Sequence, residues 1–154
     1  MKKWLIGALV VLGFSSLATS QATGFGVRAG YPIDLGVQFT TSDTAGLRFA
    51  GGLDYPGVGA QVDYLIHQPL PVNGLTDLSL YYGGGAHAQV FFFYGFGVEL
   101  GGQGTFGVEW AFAPTLSAFW EASAGLGFGF GDWYYLSSGI RFYGGSSVGL
   151  NFRS

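Results

Sequence analysis

From Leu116 to Phe130 the chain alternates without a break. Leu116, Ala118, Trp120, Ala122, Ala124, Leu126, Phe128 and Phe130 hold the even positions, and the odd positions between them are polar or tiny apart from Phe119. An extended backbone sends successive side chains to opposite faces, so this segment is predicted to be a strand with one large oily face and one small hydrophilic face. It is longer than a sheet face in a small soluble domain usually needs. A barrel strand that crosses a bilayer requires this alternation over about 9 to 11 residues, oily side outward and polar side toward the lumen.

The supply of charge points the same way. Only 10% of residues are charged while 18% are aromatic, against roughly a quarter charged in ordinary soluble domains. Such a chain has little with which to cover a water-facing surface. Residues 1–22 read as a secretory signal peptide: Lys2 and Lys3 lead into the apolar run Trp4 to Leu12, and Ser20 and Ala22 are the small residues of a cleavage site. The run falls short of the ~20 residues of a membrane-spanning helix. The remainder, 23–154, is read as one domain. It carries Arg28, Arg48, Arg141 and Arg153 against nine carboxylates, a formal charge of −5. An acidic chain without a basic cluster argues against nucleic acid as a partner. There is no cysteine for a disulfide or a lipid anchor.

Following the phase along the chain counts the strands. Odd positions face out from Phe25 to Phe39, and the phase survives across Pro32, so one long kinked strand is predicted there. Odd positions Leu47 to Tyr55 form the second. The phase then becomes even for Val58 to Ile66, and the stretch from His67 to Thr76, with two prolines, Asn73 and Gly74, reads as the one long loop. Leu78 to Phe92 follows, then Gly95 to Phe112, held as a single strand through Gly101–Gly104 because the phase continues. After the 116–130 strand come Tyr134 to Tyr143, a turn at Gly144–Ser146, and a short closing strand from Ser147 to Phe152. Eight antiparallel strands let the first and last pair, leaving no open edge in a bilayer that offers no water. Both chain ends then share the periplasmic side with the turns that carry Tyr55, Phe91 to Tyr94 and Trp133 to Tyr135, a clustering expected of an interfacial aromatic girdle.

The leader, the alternating strands, the abundance of glycine and aromatics, and segments such as Tyr81-Tyr82-Gly83-Gly84-Gly85-Ala86 and Gly107-Val108-Glu109-Trp110 resemble the small eight-stranded outer-membrane barrels of the OmpA membrane domain and OmpX kind. The chain departs from their pattern in carrying Arg153 and Ser154 after Phe152. The resemblance implies an all-β, eight-stranded antiparallel up-and-down transmembrane barrel in the bacterial outer membrane, following a cleaved signal peptide.

Inside such a barrel the phase collects Arg28, Arg48, Arg141, Asp34, Asp54, Asp63, Glu99, Glu109, Glu121 and His87. An interior of eight strands is just wide enough for side chains to fill, so these charges are expected to pair across the lumen and plug it, with Glu109 and Glu121 sharing arginine partners. The alternative is a narrow conduit, for which inward glycines at 83, 85, 125, 127 and 129 leave room. Catalysis is not expected: His67 and His87 are the only histidines, no nucleophile motif accompanies them, and His67 reads as a solvated loop residue. Two histidines without cysteine make no recognisable metal site, and no cofactor is implied. The expected role is structural, or that of an interaction surface presented through the His67–Thr76 loop, as a monomer with outer-membrane lipid as its partner. A narrow, porin-like pore for small solutes is the alternative, and a membrane-embedded lipid-modifying enzyme comes after that.

Overall fold

The two-residue alternation runs through every strand of the computed structural model, which describes residues 24–31, 34–42, 44–54, 57–74, 77–92, 95–133 and 138–153. The expected signal peptide, 1–22, lies outside the described residues. The strands are β1 (Gly24–Tyr31), β2 (Asp34–Thr40), β3 (Ala45–Asp54), β4 (Gly57–Pro69), β5 (Leu78–Phe91), β6 (Gly95–Ala113), β7 (Leu116–Trp133) and β8 (Gly139–Arg153). Each is antiparallel to the next, and β8 pairs back onto β1 to give a closed up-and-down barrel. Phe39, Phe25 and Phe152 pack ring against ring on the outside across β2, β1 and β8, tilted at 5.4 Å and stacked at 6.3 Å between centroids. They reinforce the seam where the two ends of the chain meet.

The register is sheared. A walk across paired residues from Gly24 passes Thr40, Arg48, Asp63, Gly85, Gln103 and Gly125 and arrives at Tyr143, ten residues along β8 from Arg153, the partner of Gly24. Such a stagger is what closing a twisted sheet demands, and it tilts the strands against the axis. It also leaves one rim uneven. β1 stops at Tyr31, opposite Ser146, while β8 runs on through 139–145 with no strand on that side among the described residues.

Exposure follows phase on all eight strands. Outward positions carry Phe25, Leu35, Leu47, Tyr64, Tyr82, Phe106, Trp120, Leu126, Val148 and other large apolar side chains, each more than a third exposed. Inward positions hold Gln38, Arg48, Asp63, Glu99, Glu109, Ser117 and Glu121, each less than a twentieth exposed. Phe119, the exception in the β7 alternation, points inward and is buried with Leu65 and Tyr81. It has room because its register partner is Gly149, where a Cβ would lie 2.5 Å from the ring.

Three expectations about the chain path are corrected. Phe25 to Phe39 is a hairpin, β1 and β2, and not one strand: Gly30 pairs with Asp34, and the three-residue connection between them returns odd residues opposite odd residues, so the phase survives a reversal of direction. Gly144–Ser146 is not a turn. These residues pair with Ala124, Ser123 and Ala122 in the middle of β8, which is continuous from Gly139. The count of eight stands because one strand divides and two merge. As a result, the connections after Asp54, Phe91 and Trp133 lie at the end opposite both termini, and Phe91, expected in a girdle, is 5% exposed and faces inward. The other girdle side chains, apart from Phe92, lie outside the described residues. Finally, β4 extends to Pro69, so the long connection starts at Leu70 and His67 is a strand residue. The continuous reading of β6 through Gly101–Gly104 holds.

Candidate functional site

The interior is organised as three charged layers along the barrel axis. Nearest the termini, Glu109 of β6 accepts hydrogen bonds from Ser117 of β7 and from Asn151 Nδ2 of β8 at 2.8 Å, and Arg153 Nη2 stands 3.0 Å away. His67 Nε2 of β4 lies 3.6 Å from the same carboxylate, with its ring 5.1 Å from that of Tyr81. Gln38 Nε2 donates to Asn151 Oδ1 at 2.7 Å, which joins β2 to the cluster. Polar side chains from five strands therefore converge where any unpaired carboxylate would be costly.

The middle layer centres on Arg48. Its guanidinium donates to Asp63 Oδ2 through Nη2 at 2.7 Å and Nε at 3.3 Å, and through Nη1 to Glu121 on the far wall. Glu121 also accepts from Tyr81 at 3.0 Å and Ser147 at 3.1 Å, with Arg28 Nη1 3.4 Å away. Asp63 takes further bonds from Gln61 and Gln103, both at 2.8 Å. A fork with five donors is well suited to bridging two carboxylates at once, which a lysine could not do with the same geometry.

In the third layer, Glu99 of β6 meets His87 Nε2 at 3.1 Å and Arg141 Nη1 at 3.3 Å. Tyr143 Oη lies 2.6 Å from His87 Nδ1 and 2.8 Å from the carbonyl oxygen of Gly102. Arg141 lies over the ring of Phe91, 5.7 Å from its centroid. Small residues make this crossing of long side chains possible: a Cβ at Gly129 would sit 2.5 Å from Arg141 Cζ, so the guanidinium occupies the space the glycine leaves. The inward glycines of β7 are thus receptacles for side chains from β8 at Gly125 and Gly129 and from β6 at Gly127, and not by themselves an empty channel.

Seven of the ten interior residues expected from phase, together with His87, are placed this way: Arg28, Arg48, Arg141, Asp63, Glu99, Glu109 and Glu121 all have opposite-charge partners inside the barrel. Asp34 and Asp54 face each other in the β2–β3 register, and their side chains lie outside the described residues. Glu109 and Glu121 do not share an arginine among these ion pairs. Glu121 pairs with Arg28 and Arg48, whereas Glu109 pairs with Arg153. Phase also held signals that composition hid: His67, Tyr81, Tyr143 and Asn151 sit at inward positions, yet aromatic or loop-like neighbours masked their roles.

The layers divide the interior into unequal voids. A cavity of about 500 Å³ lies on the side away from the termini, bounded by Arg28, Gln61, His87, Glu99, Gln103, Arg141, Tyr143 and Ser147. On the terminal side, a void of about 20 Å³ touches Arg48, His67, Tyr81 and Glu109, room for about one water. Among the described residues no group of three or more potential ligands is placed to hold a metal ion. No protein-family model, curated protein or solved structure matches this chain.

Proposed function

We propose that this chain is an integral outer-membrane β-barrel, exported through its N-terminal leader, with both termini on the periplasmic side and a lumen closed by its own charged side chains. The observation that carries the reading is the division of the sheet into two faces: large apolar side chains exposed on every strand outside, and arginine–carboxylate pairs buried within. Water would penalise that outer surface, since monomeric soluble proteins rarely expose contiguous apolar patches beyond a few hundred Å². Hydrocarbon would welcome it, and closure of the barrel satisfies backbone groups that lipid cannot. No second sheet or helix among the described residues covers the apolar face.

The task that fits is structural or that of an interaction surface, and not permeation. Arg48 reaches both Asp63 and Glu121 between the wider cavity and the narrow void, so a cross-brace closes the lumen at its middle. The surface offered at the terminal end, periplasmic in this reading, is the connection from Leu70 to Asp77, which gives up His67–Pro69 to β4 and takes in Asp77. Fractionation of cells expressing the full chain, followed by electrophoresis with and without boiling, tests the membrane reading. A band in the outer-membrane fraction that runs compactly unheated and shifts on heating supports it. Recovery as a soluble protein overturns it.

A further inference from the structure

The cavity of about 500 Å³ is not confined to the lumen. Its boundary includes Tyr31 at the end of β1 and Phe142, Gly144 and Ser146 along β8, so it reaches the stretch where β8 has no strand neighbour on that side among the described residues. Pairing between the two strands ends at Tyr31 and Ser146, and residues 139–145 continue for roughly 20 Å at about 3.3 Å per residue. Three outward side chains border this gap. Phe142 is 84% exposed, Tyr31 79% and Ile140 72%, more than any other large apolar side chain among the described residues. Behind that oily rim the described part of the cavity wall turns polar and charged, with Arg141 beside Glu99, Arg28 reaching 3.4 Å from Glu121, and the hydroxyl of Tyr143. The Nε of Arg141 is buried without a hydrogen-bond partner.

We infer that the gap between β1 and β8 is a lateral binding site for a single-chain anionic amphiphile, a long-chain fatty carboxylate. The headgroup sits inside the barrel near Arg28 and Arg141, and the alkyl chain leaves through the gap across Tyr31, Phe142 and Ile140. The cavity falls in the size range of small-molecule sites, roughly 300–1,000 Å³. An anion there gains charge-assisted hydrogen bonds from a guanidinium already held in place by Glu99 and Phe91. The position of the tail matches the two-faced character of the opening, apolar outside and polar inside. The site rests on the membrane reading only for its route of access, from the bilayer sideways and not along the axis.

The test is native mass spectrometry of the full chain refolded in detergent, with palmitate, hexadecanol and acetate added in turn, and with the heat-shift gel run on the same sample. A heat-shifting barrel that binds one palmitate, and binds hexadecanol and acetate far more weakly, supports the site. Arg141→Gln should weaken palmitate binding by roughly tenfold or more, the scale of one lost charged hydrogen bond. Phe142→Ser, which touches no interior charge, should weaken palmitate more than octanoate. Equal retention of palmitate and hexadecanol overturns the proposal, as does a palmitate affinity unchanged in both variants, or a dimer in which the 139–145 edge is paired with a second copy. Loss of the heat shift with no membrane fraction would instead count against the barrel reading itself, so the two failures are distinguishable.

Discussion

Arg48 and Glu121 meet across the centre of the barrel from β3 and β7, four strands apart in a ring of eight, with each side chain only 2% exposed. The pair ties opposite walls together, and Asp63 and Arg28 extend it to β4 and β1. Buried ion pairs are weak evidence of net stability against a well-packed apolar core, yet removing one member leaves a desolvated charge behind. Arg48→Met is therefore expected to lower the unfolding free energy by about 3–5 kcal/mol. Urea titration in lipid vesicles, followed through the outward Trp110 and Trp120, measures it. A loss under 1 kcal/mol would mean that Glu121 and Asp63 find other partners.

In the proposed membrane setting the same brace would govern permeation. In planar bilayers the native chain should be electrically silent, and the double variant Arg48→Ser, Glu121→Ser should show steady ohmic steps, because the wide cavity and the narrow void then merge. Stepwise conductance from the native barrel would overturn the plugged lumen.

Glycines on the inner face act as sockets. Gly107 is the register partner of Tyr81, whose ring occupies the place a Cβ would take. Gly107→Val should displace the ring, break its hydrogen bond to Glu121, and cost about 1–3 kcal/mol as an overpacked interior does. The vesicle titration reads this loss, and Gly107→Ala should fall between the two.

A charge on the outer face separates lipid from water. Phe106, outward near the middle of β6 and 48% exposed, replaced by arginine should cost about 2–4 kcal/mol in a bilayer. In water the same substitution on an exposed face would usually stay within about 0.5 kcal/mol. Comparing refolding yields in vesicles with those in detergent, together with the titration, decides between them.

The chain path can be read by cross-linking, since the protein has no cysteine of its own. Val27 pairs with Leu150 and Ala124 with Gly144. Cysteines at either pair should oxidise readily and change mobility on non-reducing gels, because directly opposed strand residues fall within disulfide reach. Failure at 124 and 144 alone would restore a turn at Gly144–Ser146.

The faces of the strands were legible in the sequence, and their order was only partly so. Within the strands the inward and outward assignments made from phase agree with the exposure of the described residues, because a one-residue slip would expose Arg48 or bury Phe106, whereas Asp77, placed inward by phase, lies just before β5 and is exposed. Phase is blind, however, to a three-residue connection, which returns the chain with its parity intact. That blindness hid the reversal at 31–33 and invented one at Gly144–Ser146, where glycine and serine looked like turn residues but lie within β8. The candidate site suffered less, since pairing across the lumen depends on face more than on strand order. What one-dimensional phase could not supply was the choice of partner: Glu109 with Arg153 and His67, Glu121 with Arg28 and Arg48, are set by the shear.

The wall is of unequal height. β1 and β2 have 8 and 7 residues, whereas β6 and β7 have 19 and 18. No bilayer of uniform thickness would match both sides, so in the proposed membrane setting the lipid beside the low staves would thin or the whole cylinder would lean, at fractions of a kcal/mol per Å. The leaflet would then be thinnest around the hairpin of β1 and β2, beside the stretch where β8 has no strand neighbour on that side among the described residues. In the proposed outer-membrane setting the molecule would have a preferred azimuth, and the distortion it imposed would draw lipid tails toward one side.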